Sequence, residues 1–378
     1  MKRITALILL VVCIITLASC KKDEYPPVES TQQESETVMT LAIGKNKYDV
    51  KYELYRALFL NYKSEVDGGD SSVWSGENKA EYIKKIDDMI IDRIVEIYAA
   101  FELCDRIGFD IYSKEVEEQI KENIKISVEG GSYGSTTIRG YESYEAYLAA
   151  LKKANLNYSV QVLLFRYAIA TDAIDTYYIG TASSDDISVS TSEGHLEYTI
   201  DDVKAFYDSD DCARVLRASF QTIITYTPLA DAQKLRDKIA DAANTSTYPE
   251  EKENAVFIAI MSSGRYSSVS EVENGYVIGK YNLESSFYGK MTDAAFALEL
   301  GEVSEPIEIV TDLESSYYVL YKAQKSDAHF EDNYDSIKYI YLMNCVGKML
   351  YDVELEMKKN VGYSDFLNEI NHADISMD

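Results

Sequence analysis

Histidine is almost missing from this chain: three in 378 residues, His195, His329 and His372. None has a partner at the spacing of a metal site or a catalytic triad. That argues against a zinc enzyme or a hydrolase, and predicts neither metal nor cofactor. Cysteine is scarce as well. The five are Cys13, Cys20, Cys104, Cys212 and Cys345, with no Cys-x-x-Cys pair, so no disulfide framework is expected. Basic residues are outnumbered, 37 Lys and Arg against 64 Asp and Glu, for a net charge of −27. Such a chain should bind neither nucleic acid nor an anionic surface through bulk charge. Beyond the first 16 residues no apolar run approaches the roughly 20 residues that span a bilayer.

What is present is most telling at the start. Lys2-Arg3 precede a short apolar run, Ile4 to Thr16, and then Leu17-Ala18-Ser19-Cys20. A basic start, a short apolar segment and small residues before the cut form a secretory signal. The Cys in first position after the cut resembles a bacterial lipoprotein signal. That resemblance implies a diacylglycerol thioether on Cys20 and cleavage before it. The expected location is the cell membrane, lipid-anchored on the extracytoplasmic side, with the membrane contacted through the lipid alone. Loss of the two cations Lys2 and Arg3 takes the net charge to −29. Residues 21–37 are polar and turn-rich and read as a flexible tether.

Helices dominate the next stretch. Val38 to Ile43 is a strand candidate, followed by a turn at Gly44-Lys45-Asn46 and a helix over 50–65. Ile83, Ile86, Ile90, Ile94, Ile97, Phe101 and Cys104 recur every three or four residues, one apolar helix stripe, with Gly108 as its stop. Ser113 is a candidate N-cap for the next helix. Gly130, Gly131, Gly134 and Gly140 mark a loop, without the strand or the Lys-Ser/Thr pair of a phosphate loop. Helices follow at 144–153 and 158–179, a loop at 180–197 and a short capped helix at 199–207. From Cys212 the pattern becomes strand, helix, strand, helix, strand, strand over about 110 residues, an α+β unit of single-domain size. Helix returns over 334–359, with Ile337, Ile340, Tyr341, Cys345, Met349 and Val353 as inward positions. The expected fold class is α+β: a split, mostly helical domain (38–211 and 327–378) with an inserted α+β domain at 212–326.

The inserted block resembles a parvulin-type peptidyl-prolyl isomerase domain. Arg217-Ala218-Ser219 resembles the family's Arg-Ala-Ser-His opening, and Gly275-Tyr-Val-Ile-Gly279 sits at its glycine turn. Met291, Asp293-Ala-Ala-Phe-Ala-Leu298 and Gly301-Glu-Val-Ser-Glu-Pro306 resemble its most recognisable stretch. Tyr317-Tyr-Val-Leu320 sits at the closing strand. The mature chain as a whole resembles foldase lipoproteins of the PrsA and SurA type, in which a helical chaperone domain is split by a parvulin insertion. The resemblance implies a substrate groove at Ser219, Phe220, Met291, Phe296 and Tyr318, and unfolded or partly folded secreted proteins as partners. Homodimerisation stays open.

The departures decide what chemistry to expect. The family's groove carries two facing imidazoles; here those positions read Phe220 and Tyr318. It also uses a Cys or Asp before the glycine turn, and between Ala255 and Gly275 there is neither. An isomerase must lower a barrier of about 18–20 kcal/mol by favouring the twisted amide over the planar one. An apolar pocket can survive here, but the polar groups that tune it do not. The expectation is therefore an extracytoplasmic foldase or chaperone with isomerase activity weak or lost and no assigned catalytic residue. The alternatives are an active isomerase with a non-standard groove, and a solute-binding lipoprotein of a transporter.

Overall fold

The computed structural model describes residues 25–377 except 134–135, 181, 184–185, 191–193, 223–227, 267–268, 282–285 and 311–314. Residues 1–24, on which the expected signal peptide and the Cys20 lipidation site fall, lie outside the described residues. The chain opens with β1 (Thr37–Ile43), β2 (Asn46–Lys51), α1 (Tyr52–Asp67), α2 (Lys79–Ile107) and α3 (Lys114–Glu129). Then come β3 (Gly131–Tyr133), β4 (Thr136–Ile138), α4 (Tyr144–Lys153) and α5 (Tyr158–Tyr178). After β5 (Ala182–Ser183), β6 (Asp186–Ser190) and α6 (Ile200–Asp208), the long strand β7 (Cys212–Thr222) leads into α7 (Pro228–Ala243), α8 (Pro249–Ser263) and α9 (Val269–Asn274). They are followed by β8 (Tyr276–Gly279), α10 (Ser286–Ala297), β9 (Ile307–Val310) and β10 (Ser315–Lys322). The end is α11 (Asp327–Asp332), α12 (Tyr334–Lys358), β11 (Val361–Tyr363) and α13 (Asp365–Glu369). The fold class is α+β: helices with small antiparallel sheets.

The chain divides into two compact units, Met1–Tyr177 with Met349–Asp378, and Tyr178–Lys348. This division falls at 177/178 and, inside α12, at 348/349, whereas the domain expected from the sequence is 212–326. The reason is apolar packing. Val203, Phe206 and Tyr207 of α6 share a core with Cys212, Val277, Phe330 and Ile337, so the segments flanking β7–β10 belong with that sheet.

In the first unit the isoleucine stripe of α2 does what its spacing predicts. Ile86, Ile90, Ile94, Ile97, Phe101 and Cys104 are buried, and Ile83 half-buried. Truncating one such isoleucine to Ala costs about 2–5 kcal/mol. The helix ends at Gly108 in the left-handed region, φ +77°, where L side chains are strained. Ser113 caps α3 by accepting from the Val116 amide at 3.3 Å. The three-stranded sheet has the order β11-β1-β2. Its two outer strands were not legible. β2 occupies a segment expected as turn and helix start, and β11 arrives from more than 300 residues downstream. The glycine-rich loop and the 180–197 loop instead contain the antiparallel hairpins β3–β4 and β5–β6. Residues 25–36, expected as tether, are fastened to this unit: Glu34 pairs with Arg56, and Tyr25 donates to Glu129.

The second unit carries the four-stranded antiparallel sheet β8-β7-β10-β9. Leu216, Ala218 and Phe220 of β7 and Val319 and Tyr321 of β10 pack on Ala232, Leu235 and Ile239 of α7 and Val256 and Ile260 of α8. In α12 the expected single inward stripe is too narrow. Leu342, Met343, Asn344 and Val346 are also buried, while Tyr341, Cys345 and Met349 are only half-buried. The helix is enclosed on more than one side over its middle turns.

Candidate functional site

Side chains alternate between the faces of a strand, so pairing register decides what the groove positions can do. Phe220 lies opposite Tyr317, and Ser219 opposite Tyr318. Phe220 and Tyr318 therefore point to opposite faces of the sheet. Phe220 belongs to the α7–α8 core, with the Arg265 guanidinium 5.1 Å from its ring centroid. Tyr317 packs beside that core, and its hydroxyl donates to Glu308 at 2.9 Å. Met291 is fully buried on α10, which packs along all four strands. Phe296, five residues on and about 140° round the helix, is half-buried. The five groove positions are thus not one constellation; the structure separates Phe220 from the Ser219–Tyr318 pair.

The face that holds Tyr318 has its own polar centre. The Arg217 guanidinium is buried, 5.2 Å from the Tyr276 ring centroid and 5.7 Å from that of Tyr318, and it pairs with Glu271. Burial raises the Tyr318 phenol above its ordinary value, against the opposing pull of Arg217. The group is a neutral hydroxyl at pH 7 and cannot act as a phenolate base. Glu271 and Tyr276 were not singled out from sequence. An Arg at an alternate strand position, facing away from the apolar residues beside it, was the available signal.

The family-like turns have local physical reasons. Arg214 donates from Nε to the Asn274 carbonyl at 3.1 Å and from Nη1 to the Gln324 carbonyl at 2.6 Å, with Glu253 at 3.5 Å. It ties the entry of β8 to the exit of β10. A Cβ on Gly275, φ +71°, would come within 2.6 Å of the Arg214 Nε, so only glycine fits there. The Gly301–Pro306 stretch runs beside β10. The Gly301 amide donates to the Lys322 carbonyl at 2.8 Å, and the Ser304 amide to the Leu320 carbonyl at 2.8 Å.

Among the described residues the remaining histidines and two buried cysteines are held as follows. His329 Nδ1 and the Tyr207 hydroxyl share a hydrogen bond at 2.7 Å, and burial, with Arg214 nearby, pushes the imidazole down to about 4. His372 is lowered by burial beside Tyr55, and His195 is exposed. Burial lifts the Cys104 and Cys212 thiols to about 12, which leaves them inert. Among the described residues no group of three or more His, Cys, Asp and Glu could hold a metal ion, and no helix is long and apolar enough to cross a membrane.

No family model matches the chain, and no curated protein matches it. Among solved structures it is similar to the foldase protein PrsA from Streptococcus pneumoniae (14% identity, 80% of this chain and 90% of that one, TM-score 0.27). It is also similar to PrsA from Lactococcus lactis (15%, 90% and 100%, TM-score 0.23) and from Bacillus subtilis (14%, 74% and 87%, TM-score 0.22).

Proposed function

We propose that this chain is an extracytoplasmic, lipid-anchored foldase whose sheet unit has a parvulin-like order of elements and little or no isomerase activity. The observation that carries the reading is the sheet unit itself. Its element order is β-α-α-α-β-α-β-β, with aromatic residues on opposite faces where the resembled family has two facing imidazoles. Twisting a prolyl amide needs groups that favour the twisted form within one pocket. Phe220 offers no polar atom, and the Tyr318 hydroxyl belongs to the other face. Client binding then falls to the helical unit, and unfolded secreted chains are its partners. The Cys20 anchor keeps the protein where such chains emerge. Two α/β lobes, as a transporter's binding protein needs, are not favoured: every strand pair among the described residues is antiparallel.

The test uses the whole mature protein. Uncatalysed prolyl isomerisation takes tens to hundreds of seconds, so modest catalysis is easily seen on a proline tetrapeptide. The expected outcome is a rate near background together with suppressed aggregation of an unfolded secreted client. Turnover like that of a histidine-bearing parvulin would refute the loss of chemistry, and failure to suppress aggregation would refute the chaperone role.

A further inference from the structure

We propose that the helical unit has a bilayer-facing surface, built on Tyr25, Tyr141 and Tyr144 with Pro26, Pro27 and Val28, that lies against neutral lipid headgroups. The inference rests on the lipid-anchor reading of Cys20. It begins from the fastening of residues 25–36. The Tyr25 hydroxyl donates to Glu129 at 2.8 Å, and the Tyr144 hydroxyl donates to the Pro26 carbonyl at 2.7 Å. The Tyr25 and Tyr144 rings lie 5.4 Å apart. Further along, Ser30 meets Ser159 at 2.8 Å, and Asn157 donates to Glu53 at 2.9 Å and to Glu34 at 3.2 Å. Hydrogen bonds and the ion pair at Glu34 outweigh its burial and hold it down at about 2, so this fastening stays charged at neutral pH.

Chain length then sets the reach. From Cys20 to Tyr25 is five residues, at most about 17 Å when fully extended. A free tether as far as residue 37 would have allowed about 60 Å. Acyl chains on Cys20 lie in the hydrocarbon, which puts its backbone at the headgroup layer, roughly 5–8 Å thick. Tyr25 is consequently confined to the immediate neighbourhood of the membrane surface, and the residues around it share that confinement.

The surface found there has interfacial chemistry. Tyr141 is 46% exposed and Val28 45% exposed. Pro26 and Pro27 are exposed and Tyr25 and Tyr144 half-exposed. Beneath the surface the buried Tyr147 ring lies 5.6 Å from Tyr141 and 6.2 Å from Tyr144 and supports both. Tyrosine, apolar in body and polar at its tip, is favoured at the level of lipid headgroups. Exposed Glu142 and Glu145 border the patch, and the whole chain carries −27. Anionic headgroups would be repelled, which points to zwitterionic lipid.

The experiment places the lipidated mature protein, starting at Cys20, in phosphatidylcholine vesicles. Glu142→Cys, an exposed residue at the border of the surface, carries a fluorophore, and Cys345→Ser removes the partly accessible native thiol. Circular dichroism checks that the exposed substitution leaves the fold intact. Flotation with the vesicles reports the anchor, and quenching by a headgroup nitroxide reports the surface. A second protein has about 20 Gly/Ser residues inserted after Glu24, a coil of roughly 25 Å, and its quenching is expected to fall. Flotation without headgroup quenching in the protein with its own short tether would overturn the surface and leave the anchor standing. Absence of flotation would overturn both. Stronger quenching in vesicles made anionic with phosphatidylglycerol would overturn the choice of neutral headgroups.

Discussion

Phe220 faces Tyr317 across the β7–β10 pair, and Tyr318 faces Ser219 on the other side of the sheet. One residue of register therefore separates the aromatic that could be re-equipped for catalysis from the one that could not. A pair of imidazoles works together only when both project from the same face, and directly opposed Cβ atoms lie about 4.5–5.5 Å apart.

That relationship gives a sharp mutational test. Phe220→His with Tyr317→His places two imidazoles across from each other. Phe220→His with Tyr318→His places them on opposite faces. Any gain in prolyl isomerisation is expected in the first double variant alone, limited by the burial of Phe220, and the second is expected to stay at background. A thermal melt of each confirms that the sheet is intact. Activity in the second pair alone would mean that the register is not the one described.

The buried ion pair Arg217–Glu271 is a stability determinant by the same geometry. Side-chain exposures are 7% and 18%, so loss of one partner strands a charge in a poorly hydrated site. Arg217→Ala is expected to destabilise by about 3 kcal/mol, while Arg217→Met with Glu271→Leu costs markedly less. Denaturant melts and a double-mutant cycle measure the difference. Equal losses in the single and the double variant would contradict it.

Tyr55 links the C-terminal segment to the helical core. Its hydroxyl lies 2.6 Å from Asp87 and 2.9 Å from Nε2 of His372, and the ring is 1% exposed. Tyr55→Phe keeps the ring and leaves both partners without that hydroxyl. A loss of about 2 kcal/mol is expected, with faster proteolysis after residue 370. Unchanged melting would show that the two groups find other partners.

Glu354 makes the helical unit sensitive to pH. Burial, reinforced by Glu96 and Asp92 against Lys358 and Arg93, raises its carboxyl from 4.5 to about 7. The folded state then holds this proton more tightly than the unfolded chain does. Its contribution is fully present below about pH 4.5 and is lost as pH rises through 7. Wild-type stability should fall across that window. Glu354→Gln should reduce the fall, to which the buried Asp172 and Asp175, raised to about 6 and about 7, also contribute, and gain on the order of 2 kcal/mol at pH 8. Melting temperatures of both proteins across the window decide; parallel slopes would remove Glu354 as the cause.

Local patterns determined much of this protein. The period of the α2 isoleucines, the Ser113 and Thr199 caps and the Gly108 stop act within a few residues, so the sequence alone places those helices. The strands from Cys212 onward follow from apolar runs between turn residues in the same way. Tertiary structure decided what depends on distant partners. β11 becomes a strand only because Val361–Tyr363 pairs with Leu41–Met39. Residues 25–36 look like free polar chain until Glu53, Arg56, Glu129 and Asn157 accept or supply their hydrogen bonds. The groove aromatics are readable as residues, but the face each one takes is set by strand register. A shift of one residue turns every side chain over, and the composition of the strand is the same in either register.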